Sequence, residues 1–187
     1  SLFTVMLAAL ERMFHRLTDQ NDVIVGVPFA NRGDQEELEN VVGCFINTLP
    51  VEMNFASSPT FRELVASMKS VMLETLEDQD VPLEAIVDLV QRRRDPARNP
   101  LFQVGFVLQA PPVTLALEGL QLEDLHVHSG GAMYDLHFWL WETGEGIDGL
   151  VWYNSGLFAE ASVQRLIERY QLVAGEATGP PDLNVAE

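Results

Sequence analysis

The stretch RDPARNPLFQVGF, residues 94–106, joins a charged, proline-containing segment directly to an apolar run. Pro100 has a fixed φ and no backbone N–H, and it drives the preceding Asn99 towards an extended conformation. Beyond Pro100, apolar side chains recur at every second position, which is the period of a half-buried β-strand. The stretch therefore predicts a rigid loop, closed by hydrogen bonds between Asp95 and Arg98, that leads into a strand of the core.

The sequence on both sides of this loop mixes helical and strand patterns. Apolar spacing predicts helices over 2–17, 60–76, 82–90 and 163–174, the second of them opened by a capping box of Thr60 and Glu63. Alternation predicts strands over 23–27, 44–53, 102–106, 134–141 and 150–153, with a hairpin turn at 142–146 and a polar loop at 31–40. We expect Phe102 to share a face with Phe106, and Tyr134 with Leu136. The predicted fold is a layered α/β sandwich with a mixed sheet.

Composition restricts the class of protein. The chain has 187 residues and a formal net charge of −17, with 28 acidic and 11 basic side chains. A chain this acidic is a poor match for nucleic acid, which binds basic surfaces. No apolar run approaches the roughly 20 residues that cross a bilayer, so no membrane partner is expected. The single cysteine excludes an internal disulfide and favours a cytoplasmic protein.

Two polar groups could carry chemistry of their own. Asp124, His126 and His128 would share one face of a strand and could bind zinc. The favoured alternative is that Leu125 and Val127 face the core while the polar side chains face water. Cys44 could act as a nucleophile, but its apolar neighbours favour a small buried side chain.

Arg92, Arg93 and Arg94 hold three of the chain's 11 basic side chains. At the C-terminus of a helix they would stabilise the helix dipole. They could equally attract a phosphate-bearing or acidic partner, because guanidinium groups match phosphate geometry. The sequence leaves both interpretations open.

Four stretches of this chain resemble motifs of the condensation domain of nonribosomal peptide synthetases. Residues 23–32, VIVGVPFANR, are similar to that family's strand followed by ANR, and residues 42–50, VGCFINTLP, resemble its GxxxNTL motif. Residues 78–84, DQDVPLE, resemble its HQDxPFE motif, although Asp78 replaces the histidine and Leu83 the phenylalanine. Residues 94–106 resemble its RDxSRNPLFQVMF motif, and Tyr134-Asp135-Leu136 and residues 153–158 extend the resemblance over nearly the whole chain.

The resemblance implies one of two subdomains, each similar to chloramphenicol acetyltransferase, that face each other across a tunnel. In the family, the amine of an aminoacyl group attacks a donor thioester, and both are carried on phosphopantetheine arms by carrier domains. A His-His-x-x-x-Asp-Gly motif serves that reaction. The four histidines here, His15, His126, His128 and His137, include no adjacent pair. We therefore expect residues 1–176 to be the C-terminal subdomain, inactive alone, and residues 177–187 to be a linker towards the next domain.

The resemblance also implies roles for individual residues. No catalytic residue and no directly bound cofactor or metal are expected in this chain. Expected partners are the N-terminal half, carrier domains and adjacent synthetase domains, with Arg92–Arg94 as a candidate docking surface. Gly43, Phe45, Asn47 and Thr48 are expected to line the tunnel, and a structural role is expected for Asp80, Pro82, Asp95, Arg98, Asn99, Pro100 and Gln103.

Two other functions stay open. The chain could be a stand-alone acyltransferase, which would need a catalytic histidine with a suitably spaced aspartate. It could also be a noncatalytic module that only docks carrier proteins.

Overall fold

The computed structural model describes residues 1–32, 36–90, 98–110, 119–120, 127 and 130–177. Its helices are α1 (Leu2–Thr18), α2 (Glu36–Glu39), α3 (Phe61–Glu77), α4 (Leu83–Val90) and α5 (Glu160–Glu176). Its strands are β1 (Asp22–Phe29), β2 (Asn47–Asn54), β3 (Val104–Gln109), β4 (Leu136–Glu142) and β5 (Ile147–Tyr153). No helix in these ranges is long and apolar enough to cross a membrane.

The strands form one mixed sheet in the order β2-β1-β3-β4-β5. The central pairs, β1 with β3 and β3 with β4, are parallel, and both outer pairs are antiparallel. In the β1–β3 pair, Gly26 lies opposite Gly105. The mixed α/β sheet and the β4–β5 hairpin confirm the predicted fold class.

The helices α1, α3 and α5 cover one face of this sheet. Helix α1 lies against α3, α5 and β1, and its side chains from Met6 to Met13 are buried on every side. Phe106 and Phe138 meet α1 edge to face, through Phe3 at 5.3 Å and Phe14 at 6.2 Å between ring centroids. The all-round apolar pattern of α1 therefore reflects a position at the centre of the core.

The predicted capping box at α3 is present. The Glu63 amide donates to the Thr60 hydroxyl over 3.3 Å, and the Thr60 amide donates to the Glu63 carboxylate over 2.8 Å. The Thr60 amide and the Thr60 hydroxyl both donate to the Glu63 carboxylate, and these two bonds lower the pKa of Glu63. Two free amides of the first turn are thereby paired by neighbouring side chains.

Four local predictions were wrong, and one of them is the expectation that Val127 faces the core, because Val127 is 83% exposed. The second strand begins at Asn47, and Cys44 precedes it as an exposed free cysteine instead of a buried side chain. The apolar neighbours of Cys44 misled the prediction, because Val42 and Ile46 are themselves 101% and 64% exposed. Residues 31–40, predicted as loop, contain the short helix α2.

The faces predicted for Phe102 and Tyr134 were also wrong. A Cβ added to Gly26 would collide with the Phe102 ring, and one added to Gly105 would meet the Tyr134 ring. Val25 and Phe106, next to these glycines, face α1, α3 and α5, so Phe102 and Tyr134 lie on the opposite side of the sheet, which we call the far face. Both residues precede their strands, and alternation therefore does not set their direction.

Candidate functional site

Residues from three separate motifs surround one cavity of about 220 Å³. We call this the motif cavity; it is lined by Thr48, Leu83, Asn99, Pro100, Leu101, Phe102, Met133 and Tyr134. Thr48 comes from the start of β2, Leu83 from the start of α4, and residues 99–102 from the loop before β3. The fold thus brings together motif residues that lie 35 positions (Thr48 to Leu83) and 16 positions (Leu83 to Asn99) apart in the sequence.

Asn47 ties the start of β2 to the turn between α3 and α4. Its side-chain amide donates to the carbonyl oxygens of Gln79 at 2.8 Å and Val81 at 2.7 Å. Asn47 was expected to line the tunnel, but its amide nitrogen is used in these two bonds. The adjacent Asp80 and Pro82 are exposed, and the Pro82 carbonyl accepts from Ala85 in the first turn of α4.

Asn99 ties the loop before β3 to the segment before β4. Its side-chain amide donates to the carbonyl oxygen of Met133 over 3.0 Å. The Gln103 side chain donates to the Asn99 carbonyl, also over 3.0 Å. Together these bonds hold the loop residues of the motif cavity against Met133 and Tyr134, its other wall.

Arg32 organises the loop that carries Gly43 and Phe45. Its guanidinium donates to the carbonyl oxygens of Leu38, Val41 (2.9 Å) and Gly43 (3.3 Å). It also lies over the Phe45 ring, 4.5 Å from the centroid, as a cation–π pair. The sequence predicted no role for Arg32, although its place in the ANR stretch was a usable signal.

A chain of aromatic side chains extends from the motif cavity over the far face. We call it the aromatic strip: Phe102, Tyr134, His137, Trp139 and Trp152. Neighbouring rings have centroids 5.0 to 5.8 Å apart. His137, near its middle, is 8% exposed, and burial lowers the pKa of its imidazole. The strip therefore presents a neutral imidazole among aromatic rings at neutral pH.

Several residues singled out in the sequence lie outside the described residues. These are Asp95, Arg92–Arg94, Asp124, His126 and His128. The zinc alternative, the arginine surface and the Asp95–Arg98 link thus stay predictions. Arg98 itself is exposed, while Pro100 and Gln103 are half-buried.

Asn47→Ala should lower the free energy of unfolding by about 1–3 kcal/mol, because it leaves two backbone carbonyls without their donor. Urea denaturation followed by circular dichroism measures the change. Asn40→Ala, at an exposed asparagine, is the matched control and should change stability by less than about 0.5 kcal/mol. Equal stability of the two variants would show that the hydrogen bonds from Asn47 to Gln79 and Val81 do not stabilise the fold.

Comparison with known proteins gives a consistent result over the whole chain. The Condensation domain family matches residues 1–187. A linear gramicidin synthase protein of Brevibacillus parabrevis is 35% identical over 188 residues, which are 99% of this chain and 4% of that protein. Malpinin synthetase of Mortierella alpina is 36% identical over 166 residues, which are 88% of this chain and 2% of that protein. The chain thus spans a small part of such relatives.

Solved structures share the fold. The four-domain nonribosomal peptide synthetase holo-AB3403 matches 99% of this chain with a TM-score of 0.89 at 23% identity, over 15% of its own length. A variant of the starter condensation domain of rhizomide synthetase RzmA matches all of it with a TM-score of 0.83 at 19% identity, over 44% of its own length. The fold is accordingly that of a condensation domain, similar to chloramphenicol acetyltransferase. With the motifs, the sheet and the matched family in agreement, this chain belongs to the condensation domains of nonribosomal peptide synthetases.

Proposed function

We propose that residues 1–176 are the C-terminal subdomain of a condensation domain that joins two carrier-bound acyl groups through an amide bond. The observation that carries the proposal is the motif cavity, where Thr48, Leu83 and Asn99 meet beside Phe102 on the far face of the sheet. The motif resemblance and the cavity are independent, since one depends on residue order and the other on the tertiary fold. Residues 177–187 then lead towards the next domain.

The chemistry of the cavity walls favours a passage over a catalytic centre. None of the described residues that line it is a carboxylate, an imidazole or an amine. Apolar and amide side chains of this kind can guide a flexible, neutral chain without reacting with it. We assign the tunnel wall to Thr48, with Gly43 and Phe45 on the neighbouring loop, and a positioning role to Asn47.

The proposed reaction needs a second half. The acceptor amine attacks the thioester carbonyl carbon, the C–N bond forms, the C–S bond breaks, and the thiolate of the donor arm leaves. The amine proton must pass to a base during this step. We assign that base to the His-His-x-x-x-Asp-Gly motif of an N-terminal half, so this chain is inactive alone and binds no cofactor directly. Phosphopantetheine is supplied by the carrier domains.

A docking surface for those carriers is assigned to Arg92, Arg93 and Arg94. The proposal rests on charge, since these side chains are a basic cluster in a chain with a net charge of −17. A phosphopantetheine arm carries a phosphate, and arginine side chains bind phosphate through paired hydrogen bonds. The docking contribution should therefore weaken as salt is added.

Reconstitution tests the proposal. The chain is mixed with a matching N-terminal half and loaded donor and acceptor carriers, and amide product is measured by mass spectrometry. We expect product from the mixture and none from either half alone. Thr48→Trp should reduce the rate by at least about tenfold, because it fills the motif cavity, while Leu172→Ala on the outside of α5 should not.

Other outcomes would replace the proposal with a different function. Product from this chain alone would show an acyltransferase with its own catalytic histidine. Binding between the halves and carriers without any product would favour a carrier-docking module.

A further inference from the structure

Strand β5 is an outer strand of the sheet, and every second residue of it turns its backbone groups away from β4. The Asn154 amide donates to the Asp135 carbonyl over 3.0 Å at one end of the strand pair, and the Thr143 amide donates to the Gly146 carbonyl over 2.8 Å at the other. Hydrogen-bonded and non-hydrogen-bonded pairs alternate between these ends. No described residue pairs with the outward N–H and C=O groups, which we call the open edge: those of Ile147, Gly149, Val151 and Tyr153.

The open edge lacks features that keep strand edges from pairing with other chains. It contains no proline, no lysine and no bulge, and its register with β4 is continuous from Ile147 to Tyr153. The other outer strand, β2, does have such a feature, because Pro50, opposite Gly26, has no N–H to offer to a further strand. The open edge is therefore a template to which an extended segment can add.

An apolar cavity of about 370 Å³ lies directly beside the open edge. Residues 146–151 form one wall of it, and the rest of its lining includes apolar side chains of α1, β4 and α5: Met6, Phe138, Leu140, Ile167, Tyr170 and Ala174. The Tyr170 hydroxyl already donates to the Met6 carbonyl over 3.0 Å. This cavity shares no lining residue with the motif cavity and has room for a branched aliphatic side chain.

The hairpin end of the open edge is acidic. Glu142, Glu145 and Asp148 are exposed, and residues 142–153 contain no lysine or arginine. A second copy of this chain would bring the same carboxylates against this edge, and each copy has a formal net charge of −17. Like charges oppose such a pairing, whereas they attract a lysine or an arginine of another segment. The charge pattern therefore favours a basic partner over a second copy.

We propose that an extended segment from another part of the synthetase adds as a strand to the open edge, places an apolar side chain in the adjoining cavity and carries basic residues towards the acidic hairpin. The open edge supplies backbone hydrogen bonds, and the cavity and the carboxylates select the sequence of the segment. The inference rests on the proposed function for the source of the segment, since this chain matches only 4% of a linear gramicidin synthase protein. The pairing itself needs no reaction, so the two proposals can be tested apart.

Amide hydrogen exchange, measured by nuclear magnetic resonance, tests the open edge directly. In the chain alone, the amides of the open edge should exchange at least about tenfold faster than those of Asp148, Leu150 and Trp152, which face β4. In a longer synthetase chain that contains this domain and its neighbours, the amides of the open edge should become as slow as the other three. The alternation between fast and slow amides should thus disappear when the segment is present.

Peptides test the chemistry of the partner segment. The probe is acetyl-Lys-Val-Lys-Leu-Lys-Val-Lys-amide, which combines basic side chains with apolar ones. One counterpart replaces every lysine by glutamate, a second replaces the leucine by glycine, and a third is methylated on every backbone nitrogen. Each should bind at least about fivefold more weakly, because it loses the charge attraction, the cavity contact or the backbone hydrogen bonds, respectively. Titration followed by amide chemical shifts measures the affinity and locates the peptide.

Two matched variants of α5 test the cavity. Ala174→Phe fills it and should abolish the preference for the leucine peptide over the glycine peptide. Ala161→Phe makes the same change at an exposed position of the same helix and should keep that preference. Both variants are first shown to keep the far-ultraviolet spectrum and the melting cooperativity of the native chain. If Ala174→Phe does not fold, equal binding of the two peptides to the native chain still contradicts the role of the cavity.

Slow exchange at the open edge in the chain alone, fast exchange there in the longer synthetase, or equal binding of the lysine and glutamate peptides would each overturn the inference. Protection that appears only as the concentration of the chain alone rises would identify a second copy as the occupant and would also reject it. Product from a synthetase whose open edge stays unprotected would reject the inference and leave the condensation function standing. Protection of the open edge without product from the reconstituted halves would do the reverse.

Discussion

Gly26→Ala should lower the free energy of unfolding by about 1–3 kcal/mol, the range for inserting a methyl group into a packed site. The new Cβ would collide with the Phe102 ring, which is 4% exposed and packs against Tyr134 at 5.7 Å. A rigid ring in that position cannot turn aside as a flexible side chain would. The steric strain can therefore be relieved only by a shift of the loop before β3. We expect that shift to change the volume of the motif cavity, which this loop lines. Urea denaturation measures the stability change.

A second glycine provides the control for this experiment. Gly144, in the turn between β4 and β5, has open space where a Cβ would lie, so Gly144→Ala should change stability by less than about 0.5 kcal/mol. Combining Gly26→Ala with Phe102→Ala should give less destabilisation than the sum of the two, by about 0.5–3 kcal/mol. Strict additivity of the two changes would contradict the contact between ring and glycine.

Glu11→Gln should make the chain more stable at pH 8 and remove the pH dependence of stability that we expect Glu11 to contribute. Glu11 lies in the centre of α1 with no exposed surface, and neither carboxylate oxygen has a hydrogen-bond partner among the described residues. Burial raises its pKa well above the usual range, and the charge of Glu52 adds to that effect. The neighbouring Arg12 pairs with a different carboxylate, that of Glu176, with its Nη1 2.9 Å from the Glu176 oxygen.

The direction in which stability changes with pH follows from the number of protons that the folded and the unfolded chain bind. Between the usual carboxyl pKa near 4.3 and the raised folded pKa, folded Glu11 keeps a proton that the unfolded chain has lost. Stability therefore falls as pH rises through this window, and the full contribution is present only at acidic pH. Glutamine cannot ionise, so the difference in unfolding free energy between Glu11→Gln and the native chain should grow from pH 4 to pH 8.

Two further variants test whether burial of the Glu11 carboxyl group causes the pH dependence. Glu11→Leu removes the unpaired oxygens as well, and should add about 1–3 kcal/mol of stability at pH 8. Glu74→Gln, at an exposed carboxylate on α3, is the control and should leave the pH profile parallel to that of the native chain. Parallel profiles for Glu11→Gln and the native chain would show that the carboxyl group is not shielded from water as the structure has it.

Local patterns predicted the local structure of this chain well. The capping box at Thr60 and Glu63 needs residues only three apart, and the β4–β5 hairpin needs one turn. In both cases the interacting groups are neighbours in the sequence, so propensity and spacing suffice. Cys44 is a position where the local pattern fails to predict burial. Apolar neighbours indicate burial only where the backbone packs against the core. The loop around Cys44 does not pack against it, and Cys44 is exposed.

The candidate site could be predicted only in part. The sequence identified its motif residues, but it did not predict the contacts that these residues make. Asn47 reaches across 32 and 34 positions to Gln79 and Val81, and Asn99 reaches across 34 positions to Met133. His137 was named only among the histidines that form no adjacent pair, and Trp139 and Trp152 had no role at all. No spacing rule connects partners at such distances.

By itself, the sequence determined the order of the main helices and strands, the acidic character of the chain and membership in the condensation domains. These depend on residue type and on contacts within a few positions. Only the tertiary structure decided that Gly26 lies beside Gly105, that Phe102 and Tyr134 lie on the far face, and that His137 is buried without a partner for its Nε2. The physical reason is that strand pairing joins segments nearly 80 positions apart in the sequence. The space left between the paired strands then decides on which face of the sheet a side chain lies.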